Sequence, residues 1–312
     1  MNIIDFDYGI TCIDTGYGRP GQVACYLLQE GDMVIFIDTG TFHSVPNLLE
    51  VLDKKKIDRE SVAYVMPTHV HLDHAGGAGE LMRQLPGAKL VMHPRGARHM
   101  IDPSKLSAGA VEVYGETVFE ESFGELIPVA EDRVIIADDG FSLEFNGRPL
   151  LFLDTPGHAR HHYCIYDENS KGIFAGDTFG ISYREFDTRL GPFIFPPTTP
   201  VQFDPEAWHK SIDCLLGLKP ERMYLTHYSM VSNVNKLADD LRYRIDYFAR
   251  IAMDSANEED RYLAIRRGMH KKFNTDLIAH DCRLGQANIE ELLALDLDLN
   301  AQGLEIWLDR SK

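Results

Sequence analysis

The chain has 312 residues, 44% hydrophobic, 10% aromatic and 25% charged, so it holds enough apolar material for a large core and is no disordered tail. Its 31 Lys and Arg against 48 Asp and Glu give a formal charge of −17, which repels a phosphate backbone and argues against a nucleic-acid partner. The longest unbroken apolar run is the six residues Val23 to Leu28, far below the roughly 20 that a membrane-spanning helix needs, so no membrane association is expected.

The N-terminal run Met1-Asn2-Ile3-Ile4-Asp5-Phe6-Asp7 lacks the basic start and apolar centre of a secretory signal, and a cytoplasmic location is expected. Short apolar runs then alternate with helical patterns, which predicts an α/β or α+β chain of sheets covered by helices. Strands are predicted at Ile10 to Asp14, Val23 to Gln29, Val34 to Asp38, Val62 to Met66 and Leu90 to His93. Further strands follow at Val134 to Ala137, Leu143 to Phe145, Leu150 to Asp154, Tyr163 to Tyr166, Ile173 to Ala175 and Arg222 to Leu225. Gly31-Asp32 joins the second and third of these too tightly for a parallel crossover, so a uniformly parallel sheet is excluded. Helices are predicted at Val45 to Lys55, Gly77 to Leu85 and Asp204 to Leu216. The longest loop is Phe179 to Phe203, with Pro192, Pro196, Pro197 and Pro200. From Lys236 onward the apolar residues recur at helical spacing, so residues 1–235 form one domain and 236–312 a mainly helical C-terminal extension. Cys12, Cys25, Cys164, Cys214 and Cys282 are widely spaced and read as reduced thiols.

The informative segment is Pro67-Thr68-His69-Val70-His71-Leu72-Asp73-His74-Ala75-Gly76-Gly77, directly after a predicted strand. His69 and His71 lie two apart, so at an extended strand end they project to one side and can grip one divalent ion, while Asp73 and His74 point toward a second. Gly76-Gly77 lets the backbone bend and start a helix free of Cβ clashes. Three more strand ends carry metal-ligand types: His158 after Leu150-Leu151-Phe152-Leu153, Asp177 after Ile173-Phe174-Ala175-Gly176, and His227 after the strand begun at Arg222. Each alone reads as a hydrogen-bonded structural residue; together they read as a metal centre.

In these residues the sequence resembles the metallo-β-lactamase superfamily, and within it the glyoxalase II-like hydrolases. The H-x-H-x-D-H signature stands as His69, His71, Asp73 and His74, followed by Pro156-Gly157-His158, by Ala175-Gly176-Asp177-Thr178 and by His227. The resemblance implies a four-layer αβ/βα sandwich with the metal site along one edge. It implies a first ion on His69, His71 and His158, a second on Asp73, His74 and His227, and Asp177 bridging both. A metal-bridging hydroxide, oriented by Asp73 as the catalytic residue, would then cleave a small ester-like bond: a thioester, lactone or carboxylic ester. Two divalent ions are expected, zinc first, with iron and manganese suiting the same donors.

Other readings stay open. An iron-dependent oxidoreductase of the sulfur dioxygenase kind uses the same superfamily site, although a glutamate stands in place of His71 in the flavin-coupled di-iron reductases. A non-catalytic metal-binding sensor module is the reading from a different class. A nuclease is disfavoured by the charge, and β-lactam hydrolysis by the missing signal peptide.

Around the metals, Asp38 at the end of Phe36-Ile37 either supports the histidine loop or caps the turn at Gly40, and Tyr228 either donates to an oxyanion or packs. His161 and His162 take no metal role. Phe179, Tyr183, Phe193 and Phe195 either line the substrate or pack the long loop onto the body, and an insert over Arg98 to Pro128 could cover the opposite side. Arg266, Arg267, Lys271 and Lys272 form a dense basic cluster, read either as an anion-receiving face or as a solvated face paired with Glu258, Glu259 and Asp260. The expected partner is a small molecule, and a homodimer is entertained in which the extension covers its own site or a neighbour's.

Overall fold

A computed structural model describes residues 2–199 and 201–310, so the predicted loop proline Pro200 lies outside the described residues. Two compact units arise: Met1–Asp154 with His161–Gly176 and Arg222–Met230, and Thr155–Arg160 with Asp177–Glu221 and Val231–Lys312.

The first unit holds a mixed sheet of seven strands in simple order: β1 (Ile3–Asp5), β2 (Ile10–Asp14), β3 (Ala24–Glu30), β4 (Met33–Ile37), β5 (Val62–Met66), β6 (Lys89–Met92) and β7 (Val134–Ile136). The Gly31-Asp32 turn makes β3 and β4 antiparallel as predicted, and β4 to β7 run parallel because helices cross between them. Those helices are α1 (Val45–Lys55), α2 (Leu72–Ala75), α3 (Ala78–Gln84), α4 (Pro94–Ile101), α5 (Ser104–Tyr114) and α6 (Glu116–Phe123). The predicted insert is therefore helical, broken by Pro103 at the start of α5 and by Gly115, whose φ of +81° separates α5 from α6.

A second sheet carries β8 (Ser142–Phe145), β9 (Arg148–Asp154), β10 (Tyr163–Asp167), β11 (Gly172–Gly176), β12 (Arg222–Leu225) and β13 (Ser229–Val231) in the order β13-β12-β11-β10-β9-β8. Strand alternation sorts the apolar side chains into two cores. Cys25, Leu27, Val34 and Phe36 face α1 and α3 through Leu48, Leu52, Leu81 and Met82. Their neighbours Ala24, Tyr26, Leu28, Ile35 and Ile37 face the other way and meet Phe145, Phe152, Tyr163, Phe174 and Tyr224 of the second sheet. Two sheets thus pack face to face, which is the predicted sandwich core.

The second unit carries four helices among the described residues: α7 (Pro205–Gly217), α8 (Val234–Asp254), α9 (Arg261–Ala279) and α10 (Gln286–Arg310). Asp204 caps α7 by accepting from the Ala207 amide, and Asp260 caps α9 by accepting from Leu263. Among the described residues no helix is long and apolar enough to cross a membrane.

Candidate metal centre

In the first unit every candidate ligand follows the C-terminal end of a strand. The chain leaves β4 at Asp38, β5 just before His69 and β12 just before His227. Asp38 is buried with φ +57° and accepts from the Thr68 amide at 2.7 Å, the Thr68 hydroxyl at 2.9 Å, the Thr226 hydroxyl at 2.6 Å and His74 Nδ1 at 2.9 Å. One carboxylate thus ties the ends of β4, β5 and β12 together. Helix α2 is held by the same turn, because the Thr39 amide and hydroxyl both donate to the His74 carbonyl, at 2.7 and 2.8 Å. Gly76 and Gly77 have ordinary helical φ values of −60° and −84°, so they make no sharp bend. Gly77 is needed for closeness instead: a Cβ there would sit 2.6 Å from the Thr41 carbonyl oxygen.

Ligand atoms of Asp73, His74 and His227 lie within 4.8 Å of one another. His74 Nε2 and His227 Nε2 approach Asp73 Oδ2 to 3.7 and 3.3 Å. The opposite nitrogen of each ring faces an oxygen that can only accept: Asp38 Oδ2 for His74, and the Gln22 carbonyl at 2.9 Å for His227. Nδ1 therefore carries the proton and Nε2 keeps its lone pair, which is the tautomer a metal requires. Asp73 is the most open member, its side chain 25% exposed beside a fully buried His74. His69 Nε2 meets His71 Nδ1 at 2.8 Å. His162 is buried 4.8 Å from the His69 ring centre, and His161 stacks at 6.0 Å.

In the second unit, His158 repeats the pattern. Its Nδ1 donates to the Pro197 carbonyl at 2.8 Å, and its Nε2 stands 3.3 Å from Asp177 Oδ2. The segment is fixed by Gly157, whose φ is +137° and whose added Cβ would lie 2.4 Å from Trp208 Cα. Gly157→Ala is expected to lower stability by about 2–5 kcal/mol, from strain and overpacking together, and a urea denaturation midpoint equal to the parent's would refute that.

Tyr228 is buried in the core between the sheets. Phe179, Tyr183, Phe193 and Phe195 are all buried within the second unit: Phe193 and Phe195 pack on Phe273, Arg244 lies over the Phe193 ring at 4.1 Å, and the Tyr183 hydroxyl donates to Asp296. In the basic cluster, Arg266 pairs with Asp298 at 2.5 Å and Lys272 with Asp276 at 2.6 Å, partners on α10 and α9 instead of the anticipated Glu258 to Asp260. Thr68 and Thr226, the two hydroxyls that fix Asp38, do not stand out by residue type; each flanks a candidate ligand histidine, which is the one signal in the sequence that marks them.

Two packed mixed sheets with clustered, tautomer-fixed histidines at their strand ends define a sandwich protein with a candidate metal centre. The family model described as the metallo-beta-lactamase superfamily matches residues 18–227, and the chain belongs to that superfamily. It is similar to the metallo-beta-lactamase fold-containing protein ST1585 of Sulfurisphaera tokodaii, 26% identical over 217 residues, which are 68% of this chain and 75% of that protein. The crystal structure of ST1585 superposes with a TM-score of 0.67 at 22% identity, covering 95% of this chain and 98% of the other. A metallo-beta-lactamase family protein of Thermus thermophilus gives 0.66 at 20% identity, covering 97% and 94%. These likenesses show the fold. The human acyl-coenzyme A thioesterase MBLAC2 is 26% identical over 190 residues, 54% of this chain, and the chain spans 63% of that relative's length.

Proposed function

We propose that this chain is a metal-dependent hydrolase of a small ester-like bond, a thioester foremost and a lactone or carboxylic ester next, acting in the glyoxalase II-like manner. The carrying observation is that His74, His227 and His158 each give Nδ1–H to a fixed oxygen and so hold Nε2 ready for a cation. We assign one ion to His69, His71 and His158, a second to Asp73, His74 and His227, and the bridge to Asp177. Nitrogen and carboxylate donors without thiolate suit zinc, iron or manganese, and zinc is our first assignment. Bound there, such ions supply Lewis acidity that makes a water nucleophilic near neutral pH and polarises the scissile carbonyl.

The protein's own part is orientation. Asp73, the most exposed of its cluster, accepts a hydrogen bond from the attacking water and aims its lone pair. Asp38 keeps the His74 ring in one tautomer and one pose. The thioester preference draws on the thioesterase name of a relative. Chelation is expected to abolish hydrolysis of acyl thioesters, and zinc or manganese to restore it. Undiminished turnover by metal-free protein would end this reading.

A further inference from the structure

The helical insert places an apolar, partly open cluster beside Asp73. Leu72, the residue before Asp73, packs with Phe119 and Phe123 of α6, and Tyr17, Leu106 and Tyr114 border the same cluster. Tyr17 stacks on Phe123 with ring centres 5.7 Å apart and planes 27° apart, and Tyr114 tilts onto the same ring at 5.2 Å. Helix α5 has no fully buried residue, so its inner apolar side is only half covered. Burial, with the negative charge of Asp73, pushes Tyr114 up to about 12 and Tyr17 higher still, so both phenols stay protonated. Neither hydroxyl has a hydrogen-bond partner among the described residues, and both rings remain partly open to solvent. The result is an apolar wall with two unused donors next to a candidate ligand, the make-up of a site that seats a chain and fixes its polar end.

We propose that Tyr17, Tyr114 and Phe123, with Leu72 and Leu106, form the specificity pocket for an unbranched apolar acyl group. This rests on the hydrolase reading and narrows its substrate to apolar acyl esters or thioesters. The rings of the 179–203 loop, already packed against Phe273 and Arg244, are not needed for it.

The test is calorimetric binding of acetate, butanoate, hexanoate, octanoate and decanoate to the full-length, zinc-reconstituted chain, with kcat/KM for the matching acyl thioesters. Affinity should climb about fourfold per added methylene as each leaves water. Tyr114→Ser and Tyr17→Ser should flatten that slope, whereas Val113→Ser, on the outer side of α5 and 53% exposed, should leave it unchanged. Tyr17 lies outside the helical insert, so its variant tests the pocket even where Tyr114→Ser disturbs α5. Affinity independent of chain length, or slopes equal in both tyrosine variants and the parent, overturns the pocket whatever the protein hydrolyses. A steep slope without hydrolysis of any thioester keeps the pocket and removes the hydrolase reading.

Discussion

Asp38→Ala is expected to destabilise the first unit by about 3–5 kcal/mol, because it strands several buried donors at once. The Thr68 amide loses its 2.7 Å acceptor, and His74 Nδ1–H loses its 2.9 Å partner in a site that admits almost no water. The two threonine hydroxyls can turn toward other acceptors, which is why the expected loss is less than the sum of four separate bonds. Alanine is also strained at φ +57°, a conformation that aspartate and asparagine tolerate better. Asp38→Asn separates the effects: it keeps the shape and the backbone preference, yet turns one acceptor into a donor facing donors. It should retain the fold while weakening metal binding about 10- to 100-fold, the usual effect of losing the partner that orients a ligand histidine. Thermal melts with and without metal check both variants. An Asp38→Ala melt equal to the parent's would show that these hydrogen bonds carry no net stability.

His227→Ala is expected to weaken one bound ion by at least about a hundredfold, since a direct ligand counts for more than the groups that orient it. Hydrolysis should fall by about the same factor or more, with kcat reduced more than KM changes, because the loss falls on stabilisation of the reacting atoms and not on substrate binding. The fold should survive. His227 lies at the end of β12 with its Nε2 toward Asp73, and the Gln22 carbonyl that its Nδ1 faces sits in a loop near solvent. Equilibrium titration with zinc, read beside the melt, checks this. Unchanged affinity for both ions would take His227 out of the centre.

Much of this was readable from residue types. Asp38, His69, Asp73, His74, His158, Asp177 and His227 stand out because histidine and aspartate directly after runs such as Val34-Ile35-Phe36-Ile37 are poor core material and good ligand material. The strand runs are long and apolar, and their alternation already separates the two core faces. What stayed hidden has physical causes. Strands β1 and β13 are three residues each, too short for a pattern, and β1 is exposed throughout. Helix α5 of the insert lacks a fully apolar stripe, since it buries nothing completely. Periodicity also cannot say which way a loop ring faces: Phe193 and Phe195 follow Asp177 in the same loop, yet they turn onto Phe273 because α9 offers an aromatic partner that only the tertiary fold brings near.

Elemental analysis of the purified chain tests the central claim most directly, with metal ions per chain counted for the parent, His71→Ala and His227→Ala. Two zinc or manganese ions per chain, with about one lost in each variant, is the predicted result. A parent chain that holds no stoichiometric metal after reconstitution and dialysis would contradict the metal centre and the hydrolase built on it.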